Sequence, residues 1–366
     1  MPATAASERI LVVRTRFVGD TVLAIPFLRN LRRAFPAATI DVLVEKASGT
    51  VLADCPYVDE LIVAPGQTGQ SPLGKCDAVF ANAAWLRERR YDRAYVLKRS
   101  LAAILQTRLA GIPHRVGFAS QGGGAFLSRS VRIREHRHEV EVFLDLLRAD
   151  GIAVDDGHNE NWVAGEVGAR IDALLAPLPA AGPRVFVAPR STATEKEWPV
   201  ERMARVVRWL VEARQAEVVF CGAPRDMGMH RAIADAAGVA PHVHDLTPEV
   251  KLRETGALVS RMDLCLGIDT GLIHLAASHG VPVVALFGPT DPNQWRPWGT
   301  RVEVLRSPVV VRGALDRLLD RLQPARVAGL RWPAGAARID AIAVDDVQAA
   351  CDRLLPARRA ALAHAG

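Results

Sequence analysis

A carboxylate at Asp20, directly after Gly19 and downstream of the apolar run 10–13, is the first group in this chain placed to do chemistry. As a general base it would take a proton from an attacking hydroxyl, an effect of about 10²–10⁴ in rate. As a helix cap it would only satisfy backbone N–H groups. Its neighbours Arg14 and Arg16 either hold an anionic substrate beside it or are solvated surface charges. A second polar cluster is the loop 189–199, where Ser191, Thr192, Thr194 and Lys196 offer donors suited to phosphate oxygens, with Lys196 as a point charge against a diphosphate. A capping loop with an exposed lysine is the alternative.

The third cluster is Asp269-Thr270-Gly271-Leu272-Ile273-His274, between the apolar runs 264–266 and 281–287. Backbone N–H groups at a helix start are unpaired and the helix dipole favours negative charge, so this turn suits a diphosphate. His274 lies on the same helical face as Thr270, where it either reaches a phosphate or is a satisfied core histidine. Asp226, after the run 217–221, is placed either for ribose hydroxyls or as a helix N-cap. The turn Gly288-Pro289-Thr290-Asp291-Pro292 reads as a rigid shaper of the cleft with no chemistry of its own.

Several chemistries lack their signatures. The chain has no GxGxxG, no GxxxxGK[ST], no GxSxG and no HExxH pattern, which removes the dinucleotide, P-loop, serine-hydrolase and zinc-protease readings. Five scattered cysteines form no CxxC pair and no His/Cys cluster at zinc spacing, so reduced thiols and no metal are expected.

The elements that must position these residues alternate regularly. Runs 10–13, 39–44, 60–63 and 94–97 read as strands of a first half, with a helix over 20–35 that Pro26 kinks or limits, and a helix over 138–150. Between 164 and 183 the pattern weakens, and 175–183 reads as a linker. The second half reads as strands 184–188, 217–221, 242–246, 264–267 and 283–287, separated by helices over 199–214, 226–237, 249–260 and 271–279. Continuous apolar strands alternating with helices imply parallel sheets covered on both faces. The predicted fold is α/β, two doubly wound Rossmann-like domains facing a central cleft: residues 1–175, residues 184–343, and a C-terminal helix and tail, 344–366, packing on the first domain.

With 366 residues, 49% hydrophobic and 23% charged, the chain has material for two cores. The net charge of +6 is spread along the sequence and aromatics are 5%, which disfavours nucleic acid and suits an anionic small molecule or lipid headgroup. No apolar run approaches the ~18 residues that span a bilayer, and the start lacks a signal-peptide pattern, so a cytoplasmic protein is expected.

Taken together, these segments resemble the heptosyltransferase-like glycosyltransferases of family nine. The resemblance is carried by Val18-Gly19-Asp20-Thr21-Val22-Leu23 with Pro26, by Ala110-Gly111-Ile112-Pro113-His114-Arg115-Val116-Gly117-Phe118, by Lys196-Glu197-Trp198-Pro199, and by the run from Asp269 to Ala277 continued from Gly280 to Thr290. It implies a GT-B architecture and an inverting transfer from ADP-L-glycero-D-manno-heptose, without a metal or other cofactor, to the inner core of lipopolysaccharide. The implied partner is an anionic glycolipid at the cytoplasmic face of the inner membrane, with the protein peripheral there. Asp20 is implied as catalytic base, and Lys196, Ser191 and Thr192 as diphosphate ligands. Asp226 is implied as the ribose contact, and Asp269, Thr270, Gly271, Leu272 and His274 as the donor-binding turn. Arg14, Arg16, Gly19 and Arg115 are implied on the acceptor side. Arg190 stands where related sequences often carry a small residue, the segment from Arg306 to Val309 lacks cysteines seen there in many relatives, and 327–337 has no counterpart. Two rivals remain: a related transferase moving an ADP- or GDP-linked sugar to a protein, metabolite or other glycan, and a non-catalytic nucleotide-sugar-binding protein.

Overall fold

A computed structural model describes residues 7–14, 17–65, 72–133, 137–179, 182–306 and 338–355. Arg16, residues 307–309, the stretch 327–337 and the tail 356–366 lie outside them. The chain divides into two compact units. The first runs to Asn161 and includes Asn293–Trp295; the second takes in Trp162–Pro292 and the described residues from 296 onward.

The first unit is a parallel sheet of β1 (Arg9–Val13), β2 (Thr39–Leu43), β3 (Glu60–Ile62), β4 (Arg93–Val96), β5 (His114–Phe118) and β6 (Arg129–Val131), in the order β3-β2-β1-β4-β5-β6. β1 pairs with β2 on one side and β4 on the other, so Val12 stands beside Val42 and Tyr95. Ile10, Leu11, Val12 and Val13 are buried to 1% exposure or less, which is why this strand needs no polar alternation. The helix expected over 20–35 is two helices, Val18–Val22 and Ile25–Ala34. Pro26 sits in the first turn of the second, where its missing N–H has no intrahelical acceptor to lose.

The second unit repeats the plan with β7 (Arg184–Ala188), β8 (Glu217–Phe220), β9 (Val243–Asp245), β10 (Leu264–Ile268), β11 (Val283–Phe287) and β12 (Val302–Arg306), in the order β12-β11-β10-β7-β8-β9. Each sheet reverses its strand order once, between β1 and β4 and between β7 and β10. In such sheets, ligands bind beyond the strand ends at that reversal.

Two boundaries differ from expectation. Residues 165–175, expected at the end of the first domain, form the helix Gly165–Leu175. It belongs to the second unit: Asp172 pairs with Arg261 at 2.9 Å and Arg170 with Glu254 at 3.0 Å. The C-terminal helix Val344–Leu354, expected on the first domain, instead packs on the second. There Val347, Ala350, Cys351 and Leu354 join Val206, Val207 and Leu210 in one buried cluster. The driving force is its single apolar stripe, which matches the buried face of the helix Val200–Arg214.

Candidate active site

In the first unit, Arg14 and Asp20 stand just beyond the end of β1. Asp20 is the third residue of the helix Val18–Val22, whose N-cap Phe17 makes no side-chain cap hydrogen bond. Asp20 Oδ2 accepts from Arg14 Nη2. Phe17 holds φ 61°, a strained value for a bulky residue, and is 55% exposed.

Behind this pair lies a buried charge cluster that the sequence did not announce. Arg99, three residues past β4, donates to Glu139 Oε2 at 2.5 Å, and Glu139 is 3% exposed. Gln294 also donates to that oxygen, at 3.1 Å. Arg14 itself is pushed down to about 10 by burial, with Glu139 opposing the shift and Arg99 adding to it. Its guanidinium is therefore still charged at neutral pH, 5.7 Å from the Phe143 ring centroid. Gly19 is buried in the same turn. Arg115 is not gathered here. Its guanidinium donates to the carbonyls of Ile112, Pro113 and Phe126, which ties down its own loop and leaves the acceptor role expected of it without geometric support.

In the second unit, a polar cluster sits beyond the ends of β7 and β10. Lys196 Nζ donates to Asp269 Oδ2 at 2.7 Å, and Thr290 Oγ1 donates to the same oxygen at 2.7 Å. His274 Nε2 lies 3.9 Å from Asp269 Oδ1. Burial would raise the Asp269 carboxyl, but His274 and Lys196 outweigh it and hold the group at about 2. Asp269 is thus a buried anion that fixes a cation, and Thr290, read as part of an inert turn, is one of its ligands. His274 is 4% exposed and faces Asp269. At 3.9 Å this is an electrostatic contact and not a hydrogen bond, and His274 Nδ1 is buried without a hydrogen-bond partner, so His274 is not a fully satisfied core histidine.

Thr270 is the N-cap of the helix Gly271–Ser278 and its side chain makes no cap hydrogen bond; Gly271 and Leu272 open the first turn and are half-buried. Glycine is needed at 267, since a Cβ there would lie 2.5 Å from Ile273 and 3.0 Å from Ala188. That close approach brings the helix start against the strand ends. Ser191 Oγ accepts from Ala193 N–H at 3.2 Å and Thr192 is exposed beside it. Asp226 uses Oδ2 to accept from Ala223 N–H at 2.8 Å, closing the turn Pro224–Asp226. As N-cap of the helix Met227–Ala237 it makes no side-chain cap hydrogen bond, so the carboxylate bonds back within its own turn and does not cap that helix. Among the described residues no group of three His, Cys, Asp or Glu side chains is arranged to hold a metal ion, and no helix is long and apolar enough to cross a membrane.

Comparison with known proteins identifies the family and the fold. The model of glycosyltransferase family 9 (heptosyltransferase) matches residues 79–313. The lipopolysaccharide heptosyltransferase 2 of Escherichia coli K12 is 28% identical over 310 residues, covering 81% of this chain and 88% of that protein. Among solved structures, a family 9 glycosyl transferase from Veillonella parvula superposes with a TM-score of 0.77 at 22% identity, covering 95% of this chain and 97% of its own. The E. coli ADP-heptose lipopolysaccharide heptosyltransferase II gives 0.73 at 23% identity, with 94% and 98% covered. The fold is therefore the GT-B fold, and the chain belongs to glycosyltransferase family 9, the heptosyltransferase family.

Proposed function

We propose that this glycosyltransferase moves heptose from ADP-L-glycero-D-manno-heptose to the inner core of lipopolysaccharide, on a Kdo or first-heptose acceptor, with inversion at the anomeric carbon. The observation that carries the reading is the Lys196–Asp269 pair at the sheet reversal, beside the start of the helix Gly271–Ser278. A fixed ammonium next to unpaired helix-start N–H groups is a diphosphate site.

In the reaction, Asp20 takes the proton of the acceptor hydroxyl while that oxygen bonds to the anomeric carbon. The bond from that carbon to the diphosphate oxygen breaks, and ADP departs with the electron pair. Arg14 holds one Asp20 oxygen and leaves the other for the proton. Lys196 and the N–H groups of Gly271 and Leu272 stabilise the charge that grows on the leaving group, the step where fixed dipoles contribute most. Ser191 and Thr192 flank the phosphates and Asp226 takes a ribose hydroxyl. Arg14 supplies positive charge on the acceptor side of the site. The enzyme works as a peripheral protein at the cytoplasmic face of the inner membrane.

The test is ADP release from the donor with Kdo2-lipid A or its heptosylated form, with product mass checked. Acceptor-dependent release with a heptose-sized mass gain is expected, and D20N should lose about 10²–10⁴ of it while keeping donor affinity. Its stability should fall by only about 1 kcal/mol, because asparagine still accepts from Arg14. Donor binding without transfer to either acceptor would overturn the acceptor assignment, and failure to bind any ADP-sugar would overturn the donor.

A further inference from the structure

A carboxylate that takes a proton beside a buried arginine leaves the arginine's charge unpaired, and that cost sets how strong a base the carboxylate is. Asp20 stands in this position. Its Oδ2 accepts from Arg14, which is only 6% exposed, so water does little to screen the guanidinium. A second guanidinium, Arg99, follows the end of β4, the strand paired with β1. Two buried arginines at adjacent strand ends would, by themselves, make Asp20 a poor base.

Glu139 offsets them. It is the first residue of the helix Glu139–Ala149, where the helix dipole favours a carboxylate. It is 3% exposed, and its Oε2 accepts from Arg99 at 2.5 Å and from Gln294 at 3.1 Å, so the anion is fixed on two sides. Phe143, one turn along the same helical face, has its ring centroid 5.7 Å from the Arg14 guanidinium carbon. That face of the helix therefore addresses both arginines. Glu139 supports the charge on Arg14 and Arg99 opposes it, while the exposed Glu45, just past β2, adds weaker support.

The charges explain the arrangement. The guanidiniums of Arg14 and Arg99 balance the carboxylates of Asp20 and Glu139 until Asp20 is protonated, which leaves a single positive charge in excess. Without Glu139 that excess would be present from the start and would double on proton transfer. We infer that Glu139 is a positioning residue for the transfer, acting through Arg14 and Arg99 to keep Asp20 basic enough to take the acceptor's proton. This rests on Asp20 as the base and adds the group that sets its strength.

Steady-state transfer from ADP-L-glycero-D-manno-heptose to Kdo2-lipid A or its heptosylated form, followed across pH with the full chain, tests it. E139Q keeps the shape of the side chain and removes its charge. Its kcat should fall at least ~3-fold with both KM values held within ~2-fold. The acid limb of its kcat profile should move at least ~0.5 unit to lower pH, because an uncompensated positive charge keeps Asp20 ionised in more acid solution. E139D restores the charge and should bring both readings back toward wild type. R99Q should move the limb the opposite way, to higher pH, which keeps the test readable if E139Q is poorly folded. Limbs at the wild-type position in both E139Q and R99Q, or displaced in the same direction in both, would overturn the inference while leaving Asp20 as the base. Undiminished transfer by D20N, or none by wild type, would remove both.

Discussion

Asp269 shows how one side chain can organise a site without touching the reacting atoms. Burial alone would favour its neutral acid, yet His274 and Lys196 hold it at about 2. An unfolded aspartate titrates near 4. Because the folded value is the lower one, the stability this group contributes is complete above about pH 4 and is lost as the pH falls toward 2, a change of about 2 kcal/mol. D269N should therefore flatten the acid limb of the unfolding free energy between those values. It should also weaken ADP binding at least ~10-fold, since the one amide oxygen left to Lys196 and Thr290 carries no charge to fix the ammonium. Urea titrations at a series of pH values compare the two proteins. A slope that is the same in D269N would mean that the carboxylate does not act as the cluster's buried anion.

At the level of elements, the C-terminal helix Val344–Leu354 is the part whose removal or disruption should cost the second unit most for its size. Val347 is fully buried against the helix Val200–Arg214 and β10 and β11, with Ile339 and Ile342 leading into it. V347D places an unpaired charge in that cluster and should destabilise by several kcal/mol, visible as a large drop in the urea midpoint. An unchanged midpoint would show that the helix is not docked there in solution. The placement of this helix was not legible in the sequence, because its apolar stripe shows that a face is buried but not against which domain. The central strands were legible for the opposite reason: β1, β7, β10 and β11 are nearly unbroken apolar runs, which a sheet buried on both faces requires. β5, β6 and β12 escaped notice because they carry charged residues such as Arg115, Arg129 and Glu303, and two of them are sheet edges. The helix Gly165–Leu175 was hidden by Gly165 and Gly168, which read as loop residues. The site divides in the same way. Asp269, which directly follows β10, was visible because the strand end fixes where it stands. Pairs made across the sheet, such as Arg99 with Glu139, 40 residues apart, and Thr290 with Asp269, 21 apart, depend on strand order, which no local pattern states.

For the whole molecule, the excess of 46 basic over 40 acidic residues has a consequence that separates the two substrates. Net charge acts at long range, through water, and is screened within about 10 Å at 0.1 M salt and still less at higher ionic strength. An anionic acceptor drawn in by that net positive charge should feel the screening strongly. The donor diphosphate should feel it less, because its proposed contacts are helix-start N–H groups and Lys196, whose side chain is only 16% exposed and anchored to a buried carboxylate. Raising sodium chloride from about 0.05 to 0.5 M should therefore increase the acceptor KM several-fold and the donor KM by less than ~2-fold, with little change in kcat. Initial rates with a delipidated Kdo acceptor, varied against each substrate in turn, keep micelle effects out of the comparison. If the donor KM rose as much as the acceptor KM, the diphosphate would be held by exposed charge, and the buried Lys196–Asp269 pair would not be its site.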